Sequence, residues 1–203
     1  MTGTGRTRSE RVTIEGVDFT VTLTPGDGIG LLALHASVEG GTGELADELA
    51  ERCGAARLVF RQNAGEPVHI TSARMAAAPC GLLRDFLARA DVVVSLHGHL
   101  RPAAPRAIFL GGADRSAAHL MAGGLQALRP RFEPVTDLAL IPAALRGVHP
   151  RNPVNMAGGP GVQVELPLLA RTTVPGGADR PPRDVADALA DGVRRLRALT
   201  REA

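Results

Sequence analysis

A chain of 203 residues, 44% hydrophobic and 22% charged, has the size and composition of one globular domain with a buried core. Aromatic residues make up only 2% of the chain, so the core has to consist of aliphatic side chains. All the basic residues are arginines, dispersed among acids, and the formal net charge is +2. Without a clustered basic face, and without Trp or Tyr for base stacking, the composition argues against a protein that binds nucleic acid.

The predicted elements alternate between strands and helices. Residues 1–12 are polar and predict a disordered arm ahead of a single domain over 13–203. Apolar runs and apolar residues at helical spacing predict, in chain order, strands at 18–24 and 29–34, a helix at 43–53, a strand at 57–61, a helix at 80–90, strands at 91–96 and 106–110, a helix at 116–128, a strand at 161–166 and a helix at 183–201. The Pro- and Gly-rich stretches 130–160 and 175–182 predict irregular structure and a linker.

This order predicts an α/β fold, with a mixed, mostly parallel sheet flanked by helices. Cys53 and Cys80 form neither a disulfide framework nor a metal-spacing pair, and they predict small buried side chains in a reducing compartment. The sequence shows no signal-peptide pattern and no apolar run long enough to span a membrane. We therefore expect a cytoplasmic protein without a membrane partner, whose oligomeric state stays open.

Three predicted strands carry a residue with metal-binding or catalytic chemistry at or near their carboxyl end. His35 follows the strand 29–34, His97 follows 91–96, and Glu165 lies near the end of 161–166. Ligand sites of open α/β sheets lie outside the carboxyl ends of the strands. A buried structural histidine would explain either histidine alone, but three such residues in one small sheet predict a shared site.

The loop after His35 supplies two candidate acids, Glu39 and Glu44. Imidazole nitrogens and carboxylate oxygens are ligands of catalytic zinc, which keeps one position for water. We predict a zinc ion held by His35, His97 and Glu39, with Glu44 as the alternate ligand. Glu39 is preferred because Glu44 lies at a helix start, where its favourable interaction with the helix dipole already explains an acid. Glu165 is then the general base for the metal-activated water.

Four further residues are candidates for the substrate side of this site. Arg171 could clamp a carboxylate or be a surface arginine, and Arg106 could polarise the substrate carbonyl. His69 could point into the cleft or orient a metal ligand, and His99 could contact substrate or be a solvated loop residue.

Eight segments in order resemble one family. They are residues 34–39, 41–46, His69-Ile70-Thr71-Ser72, Ser95-Leu96-His97-Gly98, 110–114, 152–155, 161–166 and Arg171. Over about 15–175 the chain is similar to the poly-γ-glutamate hydrolase family, whose bacterial and phage members have a zinc carboxypeptidase-like fold. The resemblance implies a mononuclear zinc enzyme that cleaves γ-glutamyl amide bonds of a small molecule, peptide or polymer. It places the ligand role on His35, Glu39 and His97, the base role on Glu165 and a substrate role on Asn152 and Asn155.

Two departures from the family pattern support an alternative function. Leu34-His35-Ala36-Ser37 replaces a Pro-His-Gly-Gly opening, and three residues instead of four separate the histidine from the acid. Met156 stands where the family has an arginine. The alternative is a non-catalytic or weakened binding protein, of phage type, on the same scaffold. A metal-independent nucleotide-binding module lacks the required phosphate loop.

Overall fold

Strands and helices alternate through residues 5–173 and 180–202, the part of the chain that the computed structural model describes. The strands are β1 (Arg8–Ile14), β2 (Val17–Thr24), β3 (Ile29–Ala33), β4 (Ala56–Gln62), β5 (Val92–His99), β6 (Ala107–Gly111), β7 (Glu133–Val135) and β8 (Val162–Pro167). The helices are α1 (Thr42–Cys53), α2 (Ser72–Ala77), α3 (Gly81–Arg89), α4 (Arg115–Gly124), α5 (Leu168–Arg171) and α6 (Arg183–Glu202). The predicted α/β class is confirmed.

The strands form one mixed sheet in the order β1-β2-β4-β3-β5-β8-β6-β7. The four central strands, β4, β3, β5 and β8, are parallel to one another. Antiparallel pairs flank them, with β2 on β4 and β6 on β8. The carboxyl ends of the central strands therefore meet at one edge of the sheet, which is where ligand sites of such sheets lie.

Successive residues of the central strands enter two separate core layers. Leu31 packs in the layer that contains α1, α4 and α6, and Leu32 packs in the layer that contains α3 and the β1–β2 hairpin. Each fully buried leucine stabilises the fold by about 1.5–3 kcal/mol relative to an exposed one. Among the described residues, no helix is both long and apolar enough to cross a membrane.

The expectation of a disordered arm over residues 1–12 is wrong for residues 8–12, which belong to β1. β1 pairs with β2 through a two-residue turn at Glu15 and Gly16, both with positive φ, as a type I′ hairpin turn requires. The Glu10 carboxylate also accepts hydrogen bonds from the backbone N–H groups of Gly81 and Leu82 at the start of α3. The arm is thus ordered by pairing and by a helix cap, whereas residues 1–4 lie outside the described residues.

Several element boundaries differ from the predicted ones. β5 continues through His97 to His99 instead of stopping before His97. The helix predicted at 116–128 is α4 followed by a 3-10 turn, and the Asp114 side chain caps it by accepting from Ala117 N–H. The irregular stretch contains β7 and two short 3-10 helices. Of the predicted linker at 175–182, residues 175–179 lie outside the described residues.

Candidate metal centre

The central strands bring His35, His97 and Glu165 to the same edge of the sheet. His35 follows β3, and the neighbouring parallel strand β5 carries His97. Glu165 lies directly opposite His97 in the parallel pairing of β5 with β8. All three side chains are buried, with relative exposures of 5%, 3% and 3%. The predicted convergence of three strand-end residues is therefore present in the structure.

The loop after His35 turns back on itself and places Glu39 in the same cluster. The backbone N–H groups of Val38 and Glu39 both donate to the carbonyl of His35, at 3.0 and 2.7 Å. Gly41 then adopts a φ of 88°, and a Cβ there would lie 2.0 Å from the carbonyl oxygen of Arg171. Only glycine permits both this conformation and this close approach.

Glu44, the alternate ligand, does not take part in the cluster. It lies in the first turn of α1 and forms an ion pair with Arg61 at 2.9 Å. The one-turn loop at 35–39 aims Glu39 inward, whereas the start of α1 directs Glu44 toward β4. Among the described residues, His35, Glu39 and His97 form the group of side chains that could hold a metal ion.

The three side chains meet through their nitrogen and oxygen atoms. The Nδ1 atoms of His35 and His97 are 3.1 Å apart. Glu39 places Oε1 3.2 Å from Nδ1 of His35 and Oε2 3.3 Å from Nδ1 of His97. The Glu39 carboxylate also accepts a hydrogen bond from the backbone N–H of Gly98 at 3.0 Å, which holds it in this position.

Each imidazole makes a hydrogen bond through Nε2 on the side away from the cluster, which leaves Nδ1 facing the cluster. Nε2 of His35 lies 2.8 Å from the carbonyl oxygen of Ile70, and a carbonyl can only accept, so Nε2 carries the proton. Nε2 of His97 bonds the Ser95 hydroxyl at 2.9 Å. With its Nε2 protonated, neutral His35 turns its Nδ1 lone pair toward the cluster, and the Ser95 hydroxyl, which can donate or accept, is compatible with the same orientation of His97. A cation satisfies three such acceptors, and histidine ligands are commonly oriented in this way.

The pKa shifts in the cluster have a common electrostatic cause. Burial alone would raise the pKa of Glu39, but the charge of His97 and the hydrogen bonds that both imidazoles donate when they are protonated outweigh it and hold that pKa well below its usual range. Burial works to lower the pKa of His97, yet Glu39 raises it above the ordinary histidine value. Burial lowers the pKa of His35, which Glu39 offsets only in part. The arrangement therefore attracts positive charge.

Glu165 has the opposite character to Glu39. Burial raises the pKa of its carboxyl group to about 7, although the nearby His97 works to lower it. Its Oε1 accepts a hydrogen bond from Nε2 of Gln163 at 2.8 Å. A carboxyl group whose pKa lies near neutrality can both accept and return a proton, which is the property a general base and acid requires.

An open cleft of about 840 Å³ lies over these four residues. His69, His99, Arg101, Asn152 and Arg171 are among the polar residues that line it, and an apolar wall is formed by Ala143, Ala144, Leu145 and Val148. The cluster is thus accessible from solvent on one side and closed by the sheet on the other.

A family model described as poly-gamma-glutamate hydrolase matches residues 8–179. The chain belongs to this family. The solved structure of a bacteriophage poly-gamma-glutamate hydrolase is 22% identical, with a TM-score of 0.71 over 91% of this chain and 92% of that one. No curated protein sequence matches the chain.

Two further solved structures are similar to this member of the family. YNDL, in an apo, zinc-free structure, is 26% identical, with a TM-score of 0.69 over 88% of this chain and 89% of that one. A metallo-carboxypeptidase from Burkholderia cenocepacia is 12% identical, with a TM-score of 0.58 over 98% of this chain and 66% of that one. The predicted carboxypeptidase-like fold is thereby confirmed.

Two of the residues predicted to bind substrate lie elsewhere. Arg106 is exposed, and its Nε donates to the carbonyl of Arg131 at 3.1 Å, away from the cleft. Asn155 donates to the carbonyls of Gly147 and His149, so its amide braces the cleft wall. Neither residue is among those that line the cleft, so the structure does not place either where the sequence predicted.

The other predicted substrate residues do lie at the cleft, but two of them are tied to the protein. His99 is buried, with Nε2 on the carbonyl of Ala107 at 2.9 Å and Nδ1 near the N–H of Arg101 at 3.3 Å. Arg171 is also buried and donates to the carbonyl of Gly40, so it supports the loop that carries Glu39. His69 is half exposed, and its Nε2 lies 3.7 Å from Oε1 of Glu39.

Three residues at the site were not among the predicted ones. Ser95 bonds His97, Gln163 bonds Glu165, and Arg101 lines the cleft. The first two lie two positions before their partners, so the two-residue period of a strand places them on the same face. That spacing was a usable sequence signal, whereas the position of Arg101 depends on the path of the loop after β5.

Proposed function

We propose that this protein is a zinc-dependent hydrolase of γ-glutamyl amide bonds. The observation that carries the proposal is the convergence of His35, Glu39 and His97 through three acceptor atoms, next to Glu165, in an open cleft. Membership of a hydrolase family supports an enzyme, and the family description supports the γ-glutamyl substrate class.

His35, Glu39 and His97 would hold the metal ion. Two imidazole nitrogens and a carboxylate oxygen suit zinc, and a three-residue ligand set is typical of catalytic sites. YNDL, the relative with a zinc-free apo structure, supports the choice of metal. When bound, zinc supplies Lewis acidity that activates water and polarises the substrate carbonyl.

Glu165 moves the proton in this proposal. It lies beside His97 across the β5–β8 pairing, and its raised pKa suits reversible protonation near neutral pH. The carboxylate takes a proton from the attacking water as the new C–O bond forms. It then gives that proton to the amide nitrogen as the C–N bond breaks, so the amine leaves neutral.

Arg101 is the residue we assign to a substrate carboxylate. Its side chain is exposed at the cleft, and its charge is close enough to act on the pKa of both Glu165 and His99. A γ-glutamyl substrate carries a carboxylate at each residue, and guanidinium groups bind carboxylates in a bidentate manner. The sequence analysis considered this role for Arg171, whose side chain is buried and donates to the carbonyl of Gly40.

The test compares Glu39→Gln with the matched control Glu44→Gln. Glu39 lies in the loop after His35, and Glu44 lies five residues later in the first turn of α1. Zinc per chain is measured after dialysis, and hydrolysis is measured on poly-γ-glutamate and on an α-linked glutamate polymer. We expect one zinc ion in the native protein and in Glu44→Gln, and loss of zinc in Glu39→Gln. Glu165→Gln should keep zinc and lose hydrolysis of the γ-linked polymer.

Two results would count against this function. A protein that stays free of metal in zinc-containing buffer contradicts the metal role of the cluster. A protein that holds zinc and binds poly-γ-glutamate without cleaving it is the non-catalytic binding protein that the departures at 34–39 and Met156 suggest.

A further inference from the structure

A chain of polar side chains connects the loop at 145–155 to Glu165. Asn152 donates from Nδ2 to Oε1 of Gln163 at 2.8 Å, and Gln163 donates from Nε2 to Oε1 of Glu165 at 2.8 Å. The relative exposures of the three residues are 7%, 4% and 3%. A buried polar network is costly unless each member is paired, and when it is paired it makes one arrangement rigid.

Backbone groups determine the orientation of both amides. Nε2 of Gln163 lies 3.2 Å from the carbonyl oxygen of Leu145, which can only accept. Oδ1 of Asn152 lies 3.3 Å from the N–H of Val154, which can only donate. Turning over either amide would place like groups against each other at both of its ends. The Gln163 amide therefore presents a donor, and not an acceptor, to Glu165.

This direction distinguishes the two oxygens of the Glu165 carboxylate. Oε1 accepts from Gln163 whether or not the carboxyl group is protonated, so a proton arriving at Glu165 goes to Oε2. Within the described residues, no protein group donates a hydrogen bond to Oε2. Because Glu165 lines the cleft, Oε2 is the oxygen available to a reacting molecule.

We propose that Gln163 is a positioning residue that orients the Glu165 carboxylate with Oε2 as the proton-accepting oxygen, and that Asn152 holds Gln163 in this role. The proposal rests on the proposed function, in which Glu165 is the general base. Oε2 accepts the proton of the attacking water and the same oxygen returns it to the leaving nitrogen, so the carboxylate need not rotate between the two steps.

Asn152 thus acts on the reaction through Gln163, although it also lines the cleft and was predicted to bind substrate. Its Nδ2 and Oδ1 both already bind protein atoms. A substrate contact would appear in KM, whereas a positioning role appears in kcat, since it changes a group that acts in the transition state.

The experiment uses the full-length zinc-loaded protein with Asn152→Asp, Gln163→Met and the control Asn155→Asp. Asp at position 152 cannot donate to Gln163, and Met removes the donor to Glu165 while keeping a similar volume. Asn155 lies in the same loop and also braces it, but its side chain makes its hydrogen bonds to Ala113, Gly147 and His149 and not to Gln163. Asn155→Asp is therefore the isosteric change that loosens the loop without breaking the chain of hydrogen bonds.

We measure kcat and KM on poly-γ-glutamate, zinc per chain, and the crystal structure of each variant. In Asn152→Asp and Gln163→Met, kcat should fall on the order of 10- to 100-fold, as for other supporting partners of catalytic groups, with KM and zinc content close to native. Asn155→Asp should keep most of kcat. The crystal structure of Gln163→Met should show the Glu165 carboxylate rotated or in more than one orientation.

Equal loss of kcat in Asn155→Asp and Asn152→Asp would overturn the proposal, because loop loosening would then explain both. An unchanged Glu165 orientation in Gln163→Met would overturn it as well. If the native protein hydrolyses no γ-linked substrate, the proposed function fails, and the crystal structures still decide whether Gln163 orients Glu165.

Discussion

Ser95 and Gln163 are direct partners in the parallel pairing of β5 with β8. They lie two residues before His97 and Glu165, the next pair on the same face of the sheet. Each supports the residue two positions further along its own strand, at 2.9 Å for Ser95 and 2.8 Å for Gln163. Four polar side chains thus lie together on one face of two central strands of the sheet. His97 and Glu165 face the cleft, and the hydrogen bonds from Ser95 and Gln163 hold these two side chains in place.

Ser95→Ala should weaken zinc binding without unfolding the protein. The hydroxyl group is the partner of His97 Nε2, and losing such a partner costs roughly 10- to 100-fold in metal affinity. The measurement is a competition titration of zinc against a chromophoric chelator. Ser37→Ala is the matched control, because the Ser37 hydroxyl accepts from the N–H of Gln62 instead of a metal ligand. Equal zinc affinity in both variants would show that Ser95 does not orient His97.

Glu165→Gln should stabilise the metal-free protein at alkaline pH. The pKa of Glu165 is about 7 in the folded state against 4.5 for an unperturbed glutamate, so between these pH values the native state keeps a proton that the unfolded state has lost. The free energy of unfolding therefore falls as the pH rises through this window. The glutamine variant does not titrate, and at pH 8 it should be more stable by up to about 3 kcal/mol.

Denaturant unfolding of both proteins in excess chelator, at pH 5 and pH 8, measures this difference. The advantage of Glu165→Gln should be small at pH 5 and large at pH 8. An advantage that does not change with pH would mean that amide packing, and not the cost of burying a charge, is responsible.

Arg101→Gln should raise KM for poly-γ-glutamate by about tenfold and leave kcat nearly unchanged, since a hydrogen bond to a charged group contributes about 1.5 kcal/mol or more. The native KM should rise with salt, and that dependence should be weaker in the variant. Arg106→Gln is the control, because Arg106 lies away from the cleft and bonds the carbonyl of Arg131. A similar change in KM for both variants would point to net charge instead of a specific contact.

The sequence was sufficient to predict the α/β class and the meeting of His35, His97 and Glu165, because apolar runs identify buried strands and parallel strands align their carboxyl ends. The choice of Glu39 over Glu44 agrees with the cluster, although it depends on a turn whose closure requires Gly41 to contact Arg171, a residue far along the chain. Arg106 was predicted to face the substrate but lies away from the cleft, because nothing in the local sequence determines where the side chains between β5 and β6 point. Long-range contacts of this kind carry no periodic signal.

The N-terminal hairpin was missed for a related reason, and Glu10 provides its test. Val12 and Ile14 alternate with polar residues, as in a strand. The hairpin is attached to the rest of the fold by Glu10, which caps α3, an element far along the chain. Burial works against the charge of Glu10, yet hydrogen bonds from Leu82 and Gly81 lower its pKa. Glu10→Ala should cost about 1–2 kcal/mol of unfolding free energy at pH 7, as loss of a helix cap does.

Because the folded pKa of Glu10 is lowered, its stabilising effect is present above the pKa of the unfolded chain and is lost as the pH falls through the folded value. The gap between native protein and Glu10→Ala should therefore narrow in acid, as followed by denaturant unfolding at pH 7 and pH 3. Glu66→Ala, at an exposed position, serves as the control. If Glu10→Ala unfolds like Glu66→Ala at pH 7, the carboxylate does not tie the hairpin to α3, and the order of β1 comes from its pairing with β2 alone.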